Sequence, residues 1–328
     1  MKNVLLRVQN LEVMYKTRNS FIKAVEGVTL EVGVNECVAL IGESGSGKST
    51  VANAILRILP ENATISHGQI IFKNKNLLNL KEKEMRKIRG KEISMVFQDP
   101  HSYLNPVLKI GDQLTETIKT HNPHLTQKEI LEKAIELLSV TRIPDPQKIL
   151  DRYPHQLSGG MAQRVAIALA LSSNPSLVIA DEPTSSLDLT IQAQIMKLLK
   201  RLMETFKISI LLITHDLSLV SNIADKVYVM YAGKIVEEDF MERLYKNPMH
   251  PYTTMLFEAV KKLQGISTSF NSIYESESTL ELMGCKFSNR CPLVKPLCFR
   301  KPPPFLSIAT GKKVLCWLYA QGDENEQV

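Results

Sequence analysis

Residues 42–49 fit the pattern G-x-x-x-x-G-K-[ST] without a mismatch. Glycines have no Cβ atom, so consecutive backbone N–H groups can turn inward around the phosphates of a nucleotide. In such a loop Lys48 reaches the β- and γ-phosphates, and the Ser49 hydroxyl binds Mg²⁺. The segment therefore predicts a phosphate-binding loop, which we call the P-loop. Its predicted nucleotide contacts are Gly42, Glu43, Ser44, Gly45, Ser46, Gly47, Lys48, Ser49 and Thr50.

Two acidic residues, Asp181 and Glu182, follow the apolar run 177–180. A carboxylate at the C-terminal end of a buried strand can hold the Mg²⁺ of a loop-bound nucleotide. A second carboxylate beside it can orient or deprotonate the attacking water. The pair is therefore a candidate centre for nucleotide hydrolysis.

A second phosphate-binding surface is predicted at residues 157–161, which read Leu-Ser-Gly-Gly-Met and precede a helix predicted over 162–171. Ser158 can act as the N-cap of that helix. The glycines that follow it leave backbone N–H groups exposed at the positive helix end. One chain would thus carry two separate anion-binding surfaces.

The elements that must position these residues indicate an α/β fold. Uninterrupted apolar strands separated by helices predict a parallel sheet covered on both faces. Ligands of such sheets bind at the carboxyl ends of the strands, where the motifs above lie. Helices are predicted from 100 to 170, and a Ser-, Thr- and Asn-rich linker over 264–278. The predicted strands are 4–8, 25–30, 37–41, 68–72, 93–97, 177–180 and 208–213.

Composition is that of an ordinary globular protein, with 44% hydrophobic and 23% charged residues in 328. The length has room for one large domain and a smaller one. The net charge of +6 comes from stretches of mixed sign, which favours a solvated surface over a nucleic-acid footprint. No apolar run approaches 18 residues and no signal peptide is evident, so we expect a cytoplasmic chain whose membrane role depends on partners.

Four of the five cysteines crowd into the last fifth of the chain, whereas Cys37 reads as a core residue. Structural disulfides are rare in the cytosol, so these four cysteines are candidate metal ligands. The closely spaced cysteine pairs typical of zinc sites and the cysteine spacings of ferredoxins are both absent, so the spacing does not identify the metal. Soft thiolates in a short, core-poor segment still favour a metal that replaces hydrophobic burial. The four are Cys285, Cys291, Cys298 and Cys316.

The Leu-Ser-Gly-Gly segment between the P-loop and Asp181 resembles the signature of the ATP-binding-cassette (ABC) transporter ATPases. In that family the signature of one subunit caps the γ-phosphate held by another, and Tyr15 resembles the aromatic residue that stacks on adenine. Gln98 is similar to the Q-loop glutamine, which contacts Mg²⁺ together with Ser49 and Asp181. His215 resembles the switch histidine at the γ-phosphate, completing a catalytic set with Lys48 and Glu182. The signature residues are Leu157, Ser158, Gly159, Gly160 and Met161, and the D-loop residues that cross the dimer interface are Ser186, Leu187 and Asp188.

The resemblance implies a P-loop NTPase (RecA-like) core with an antiparallel β subdomain and a helical signature subdomain over about 100–172. The ATPase domain would span 1–245, and an extension with the cysteines would span 246–328. Tyr-Pro-His-Gln at 153–156, the segment 190–194 and His-Pro-Tyr-Thr at 250–253 resemble the oligopeptide/dipeptide/nickel importer subfamily (OppD/DppD-like). In that subfamily the late cysteines can bind a [4Fe-4S] cluster, with zinc or free thiols as the alternatives.

By this resemblance the chain is the ATP-hydrolysing subunit of an importer for peptides, with nickel and oligosaccharides as other solutes. A homologous second ATPase, as a heterodimer or homodimer, would complete the ATP sites. Two transmembrane permeases would dock the pair at the cytoplasmic face of the cell membrane, and an extracytoplasmic binding protein would deliver the solute. The rival interpretations are a soluble ABC protein acting on ribosomes or DNA, which one cassette disfavours, and a non-hydrolysing subunit, which the intact catalytic set disfavours.

Three positions depart from the family pattern. Met161 replaces the glutamine commonest across the wider family, although the peptide-importer branch often has methionine there. Ala162 stands where that branch usually carries arginine, which removes a charge near the expected interface. Asn35 replaces a turn glycine, and asparagine is the residue best able to adopt the left-handed conformation there.

Overall fold

The computed structural model describes residues 3–18, 20–263 and 283–320. The predicted linker 264–278 lies outside the described residues. The strands are β1 (Val4–Lys16), β2 (Phe21–Gly33), β3 (Cys37–Ile41), β4 (Ala63–Phe72), β5 (Lys75–Asn76), β6 (Ile93–Val96), β7 (Leu177–Asp181), β8 (Ser209–Thr214), β9 (Lys226–Tyr231), β10 (Lys234–Phe240), β11 (Phe305–Ala309) and β12 (Lys312–Leu315). The helices are α1 (Lys48–Leu56), α2 (Glu82–Ile88), α3 (Pro100–Tyr103), α4 (Ile110–His121), α5 (Gln127–Val140), α6 (Pro146–Leu150), α7 (Gly159–Leu171), α8 (Leu189–Phe206), α9 (Leu217–Val220), α10 (Met241–Lys246), α11 (Pro251–Leu263) and α12 (Pro296–Arg300).

The central sheet has the strand order β11-β12-β10-β9-β3-β8-β7-β6. Strands β9, β3, β8, β7 and β6 are parallel, and β3, β7 and β8 are buried along their whole length. Continuous apolar strands form because helices cover both faces of the sheet. Since parallel strands end at one edge, the segments after β3, β6, β7 and β8 meet there. The prediction of a buried parallel sheet is confirmed.

A smaller antiparallel sheet, β2-β1-β4-β5, packs beside the central one. Its inner face shares an apolar cluster with α1 and with Val38 and Leu40 of β3. The strands are longer than predicted, because register shifts within β1 and β2 let polar residues interrupt the alternation without ending the pairing. Asn35, in the turn before β3, has φ of 54°, the left-handed conformation expected of it.

A helical layer, α3 to α7, follows β6, as predicted for residues 100–170. Helix α5 begins with a capping box. The Thr126 side chain accepts a hydrogen bond from the N–H of Glu129, and the Glu129 side chain accepts one from the N–H of Thr126. The apolar faces of α4 and α5 turn inward and pack against α7. Ala162 of α7 is fully buried in that core, so the residue lies in packing and not on a surface.

The C-terminal part is more integrated than the sequence predicted. Residues 283–320, which we call the cysteine module, supply the hairpin β11–β12, and β12 pairs with β10 at the edge of the central sheet. Phe287 belongs to the main core together with Tyr252 and Phe257 of α11, a helix that the sequence did not predict. The expectation of a core-poor appendix was therefore wrong, because the module borrows the core of the larger unit.

Ion pairs of buried acids join β10 to the module. Asp239 lies 3.2 Å from Lys312 Nζ, and Glu238 Oε1 lies 3.0 Å from Lys313 Nζ. Glu237 accepts hydrogen bonds of 2.8 Å from the N–H groups of Met249 and His250. Each acid is nearly inaccessible to solvent, so its charge depends on these partners. Within the described ranges, no helix combines the length and the apolar character needed to cross a bilayer.

Candidate nucleotide-binding site

The P-loop joins β3 to α1, and two of its glycines are required by the space around them. Gly47 caps α1 with φ of 104°, and a Cβ atom there would lie 2.3 Å from the carbonyl oxygen of Ala24. A Cβ atom on Gly42 would lie 2.1 Å from the carbonyl oxygen of Met230. Any other residue would push the loop away from the sheet, so these glycines fix its close approach.

Lys48 is buried inside the loop. Its Nζ donates hydrogen bonds of 2.8 Å to the carbonyl oxygens of Gly42 and Glu43. Burial lowers the pKa of Lys48, and the nearby carboxylates of Glu182, Asp181 and Glu43 oppose that shift. The ammonium thus lies on backbone carbonyl oxygens. An incoming phosphate is a stronger, charged acceptor and can replace these oxygens as the partner of the ammonium.

Two of the predicted Mg²⁺ ligands already contact each other. Ser49 Oγ donates a hydrogen bond of 3.1 Å to Asp181 Oδ1. Burial raises the pKa of Asp181, while the Ser49 hydrogen bond and Lys48 pull it down. Hydroxyl and carboxylate oxygens are hard ligands suited to Mg²⁺, and the charge of a bound ion would favour the ionised carboxylate.

Glu182, directly after β7, contacts polar side chains that follow two other strands, β8 and β6. Its Oε2 lies 3.2 Å from His215 Nδ1, after β8, and 3.4 Å from Gln98 Nε2, after β6. Its own N–H donates to the carbonyl of Ile213 at 2.8 Å. The residue has φ of 45°, a left-handed conformation that costs a non-glycine residue about 1–2 kcal/mol. Strain of this kind at a carboxylate that faces other polar groups is typical of functional sites.

Tyr15 lies beside the P-loop helix, with its hydroxyl 3.3 Å from Thr50 Oγ1. This contact brings the end of β1 to the first turn of α1. The predicted adenine-contacting ring is therefore adjacent to the predicted phosphate site.

The signature and D-loop form a second group. Ser158 caps α7, as predicted, because its Oγ accepts the N–H of Met161 at 3.4 Å. A Cβ atom on Gly159 or Gly160 would approach Leu187 to 3.3 Å or Ile191 to 2.9 Å. The signature glycines thus let α7 pack closely against the D-loop and the start of α8.

Comparison with known proteins places this geometry in a family. The model described as ABC transporter matches residues 25–185, and that of the oligopeptide/dipeptide transporter C-terminal region matches residues 236–298. The chain is 43% identical over 322 residues to the oligopeptide transport ATP-binding protein AppD of Bacillus subtilis, covering 97% of this chain and 98% of that protein. The chain belongs to the ABC transporter ATP-binding proteins. This ABC subunit is an ATPase of a transporter, as its family resemblance implied.

Other relatives agree with this assignment. The ABC subunit is 43% identical over 323 residues to the dipeptide transport ATP-binding protein DppD of Bacillus subtilis, covering 98% of this chain and 96% of the relative. A dimeric ATP-binding cassette solved in a post-hydrolysis state with ADP and Pi is 30% identical, with a TM-score of 0.65. That match covers 72% of this chain and 99% of the cassette. The P-loop NTPase fold is therefore confirmed.

Two of the four late cysteines are joined through the backbone of the cysteine module, where the Cys285 N–H donates to the carbonyl oxygen of Cys298 at 2.7 Å. Burial and, to a smaller extent, the other three cysteine thiols raise the pKa of Cys316 to about 11. Burial also raises the pKa values of Cys285 and Cys291. Among the described residues, no group of three or more His, Cys, Asp or Glu side chains is arranged to hold a metal ion. The expectations of an iron-sulfur cluster and of zinc therefore have no support from the geometry of the side chains.

Sequence reasoning missed two residues that reach the P-loop from the C-terminal part. Tyr252 Oη accepts the N–H of Glu43 at 2.9 Å, and the Arg290 guanidinium pairs with the Glu43 carboxylate. Tyr252 stands in the segment 250–253, which was noted only as a marker of the subfamily, and Arg290 directly precedes Cys291. Their contacts cross more than two hundred residues of sequence, so no local pattern could have revealed them.

Proposed function

We propose that this ABC subunit couples ATP hydrolysis to the import of peptides through partner permeases. The convergence of the P-loop, Asp181, Glu182, Gln98 and His215 at one edge of the central sheet carries the proposal of ATP chemistry. The peptide solute follows from the oligopeptide/dipeptide C-terminal region and from the names of its relatives. Nickel or oligosaccharide import would use a similar ATPase, because selectivity for the solute would reside in the binding protein and the permeases.

In the proposed reaction the P-loop N–H groups and Lys48 hold the β- and γ-phosphates. Glu182 accepts a hydrogen bond from the attacking water and aligns it with the bond to the leaving oxygen. His215 lies 3.2 Å from Glu182 and contacts the γ-phosphate as the bond breaks. Ser49, Asp181 and Gln98 would hold Mg²⁺, which neutralises charge on the phosphates. Tyr15 stacks on the adenine.

A second ATPase subunit completes each site in this proposal. Ser158 and Gly159 at the start of α7 are exposed, so their N–H groups are available to a nucleotide from outside the chain. The D-loop leads into Leu189, whose side chain is 80% exposed, an unusual position for a large apolar residue. A homologous partner covering this face would bury Leu189 and receive the signature.

The permeases would dock where the helical layer meets the core. A groove of about 490 Å³ lies there, lined in part by Met95, Phe97, Tyr103 and Leu108. The groove is next to Gln98, which lies 3.4 Å from Glu182, so a permease segment seated in it could influence the catalytic carboxylate. This arrangement would place the subunit at the cytoplasmic face of the cell membrane, peripheral to the permeases.

Iron-sulfur binding remains part of the proposal for residues 246–328, the extension beyond the ATPase domain 1–245. Backbone N–H groups hydrogen-bond Cys285, Cys291 and Cys316 and lower the pKa of each thiol, although burial has the larger effect and raises it. Cys285, Cys291, Cys298 and Cys316 would hold the cluster, which would link the loops of the module. We expect anaerobically purified protein to contain iron and sulfide and to absorb visible light. Zinc without iron and sulfide would contradict the cluster, and thiols without metal would contradict both.

Copurification of the complete membrane complex tests the transport function. We expect the ATPase rate of the complex in lipid vesicles to rise with a binding protein loaded with di- or oligopeptide. Nickel-loaded or oligosaccharide-loaded binding protein serves as the matched control. Stimulation only by a non-peptide solute would exclude peptide import, and failure to copurify with any membrane protein would favour a soluble role.

A further inference from the structure

Arg290 of the cysteine module forms a two-pronged ion pair with the P-loop. Its Nη1 and Nη2 each lie 2.8 Å from one carboxylate oxygen of Glu43. A planar guanidinium that meets a carboxylate in this way fixes direction as well as distance. The guanidinium also lies 5.8 Å from the ring centres of Tyr231 and Phe287, which restrict its movement. The Glu43 side chain is thus held in one place.

The backbone of Glu43 is held as firmly as its side chain. Its N–H donates to Tyr252 Oη at 2.9 Å, and its carbonyl oxygen accepts from Lys48 Nζ at 2.8 Å. The residue that Arg290 fixes is therefore the residue whose carbonyl positions the phosphate-binding ammonium. A displacement of Glu43 would move Lys48 and the N–H groups of the loop together.

The position of Arg290 is set in turn by the cysteine loop. Arg290 ends the short turn Ser288–Arg290, in which the Ser288 N–H donates to the carbonyl of Cys285 at 3.0 Å, and Cys291 follows directly. The turn therefore lies between two of the four cysteines. A change in the conformation of this loop would reach the P-loop directly through the Arg290 side chain.

We propose that Arg290 is a positioning residue for ATP binding, which sets the P-loop through Glu43 and couples the cysteine module to nucleotide affinity. The inference rests on the proposed role of the P-loop as the ATP site. Arg290 acts through Glu43 and not on the reacting atoms. Its loss should therefore raise the dissociation constant for ATP and the KM for ATP more than it lowers kcat.

The test is calorimetric titration of the purified full-length chain with Mg-ATP. For Arg290→Ala we expect affinity to fall about five- to tenfold, the range for loss of a charge-assisted hydrogen-bonded pair at a partly exposed site. Arg290→Lys keeps the charge but loses the two-pronged geometry of the guanidinium. Its affinity for ATP should therefore lie between that of the parent and that of Arg290→Ala. Lys286→Ala is the matched control, because Lys286 also joins the module to the cassette, through Glu26 of β2, yet does not contact the P-loop.

Equal losses of affinity in Arg290→Ala and Lys286→Ala would overturn the proposal, because they would indicate general loosening of the module. A double-mutant cycle with Glu43→Ala gives a second test. We expect the double variant to bind ATP no more weakly than the weaker single variant, and additive losses would contradict coupling through this pair. Cys291→Ser should weaken binding in the parent and add nothing in Arg290→Ala; an equal loss in both would contradict transmission through Arg290.

Lys48→Ala separates this inference from the proposed function. If Lys48→Ala binds ATP as the parent does, the P-loop is not the ATP site, and both proposals fail. If Lys48→Ala loses binding while Arg290→Ala retains it, the ATP site stands and only the positioning role fails.

Discussion

The ATP site and the joint between β10 and the cysteine module both contain buried charged residues, but they use them differently. At the ATP site Lys48 lies on two backbone carbonyls, and Glu182 is held in a left-handed conformation beside His215. At the joint, by contrast, the buried acids Glu238 and Asp239 meet the lysines of β12. The charged groups of the ATP site are placed to bind a ligand, whereas those of the joint pair with each other within the protein. Substitutions in the first should therefore change chemistry, and those in the second should change stability.

The largest expected effect is on hydrolysis, from Glu182→Gln. The amide cannot take a proton from water, so kcat should fall about 10²- to 10⁴-fold while ATP still binds. The ATPase rate of the purified complex and the affinity for Mg-ATP are the measurements. Because glutamine has the same shape, the melting temperature should not fall. Turnover near the parental rate would show that Glu182 is not the base.

The next effect is on stability, from Glu237→Gln. The carboxylate accepts hydrogen bonds from two backbone N–H groups at 2.8 Å, one on each oxygen. An amide can accept only through its oxygen, because its NH₂ group is a donor. We expect a loss of about 2–3 kcal/mol in the free energy of unfolding, measured by urea denaturation. The control is Glu242→Gln in α10, where an exposed carboxylate pairs with Lys246 and the loss should stay below about 0.5 kcal/mol. An equally small loss at Glu237 would mean that its carboxyl carries a proton in the folded protein.

The smallest of the three effects depends on pH and involves His250. Burial lowers the pKa of this residue from 6.5 to about 3, and its Nδ1 accepts the N–H of Tyr252 at 3.1 Å. Between these pH values the unfolded chain binds a proton that the folded chain does not, so stability falls as the pH drops below 6.5. At pH 5.5 the loss from this group is about 1.4 kcal/mol relative to pH 7.5.

His250→Asn should remove that part of the pH dependence, and denaturation curves at the two pH values measure it. The exposed His124→Gln is the control and should keep the parental dependence. If His250→Asn lost as much stability on acidification as the parent, the imidazole would not be the group that titrates.

The sequence predicted the core of the fold and the ATP-site groups well because each depends on local pattern. The apolar run before Asp181 predicted β7, and glycine spacing predicted the sharp turn at Gly47. The left-handed conformation of Glu182 was not predictable, since it is imposed by the pairing of its N–H with Ile213 on the next strand. Helix α11 was missed because its first residues read as a proline-rich turn, although Pro251 stands at the helix start, where its missing N–H costs nothing.

The joint was missed for a different reason. Asp239 has a near partner in Arg243, four residues later, but that pair gives no sign of the module. The lysines that pair Glu238 and Asp239 with the module are Lys313 and Lys312, more than seventy residues later. Long-range pairing of charges leaves no periodic trace in a single sequence. The contact between Arg290 and Glu43 escaped prediction on the same grounds.

The pairing of β12 with β10 has a consequence during synthesis of the chain. Until residues 312–315 leave the ribosome, β10 is the last strand on its side of the sheet and presents unpaired backbone groups. Such an edge invites pairing with another nascent chain, and charged side chains along it discourage that pairing. Before the lysines of β12 arrive, the carboxylates of Glu238 and Asp239 lack these two partners and place negative charge along the edge. The acids that later hold the module in place thus first protect the unfinished chain from aggregation.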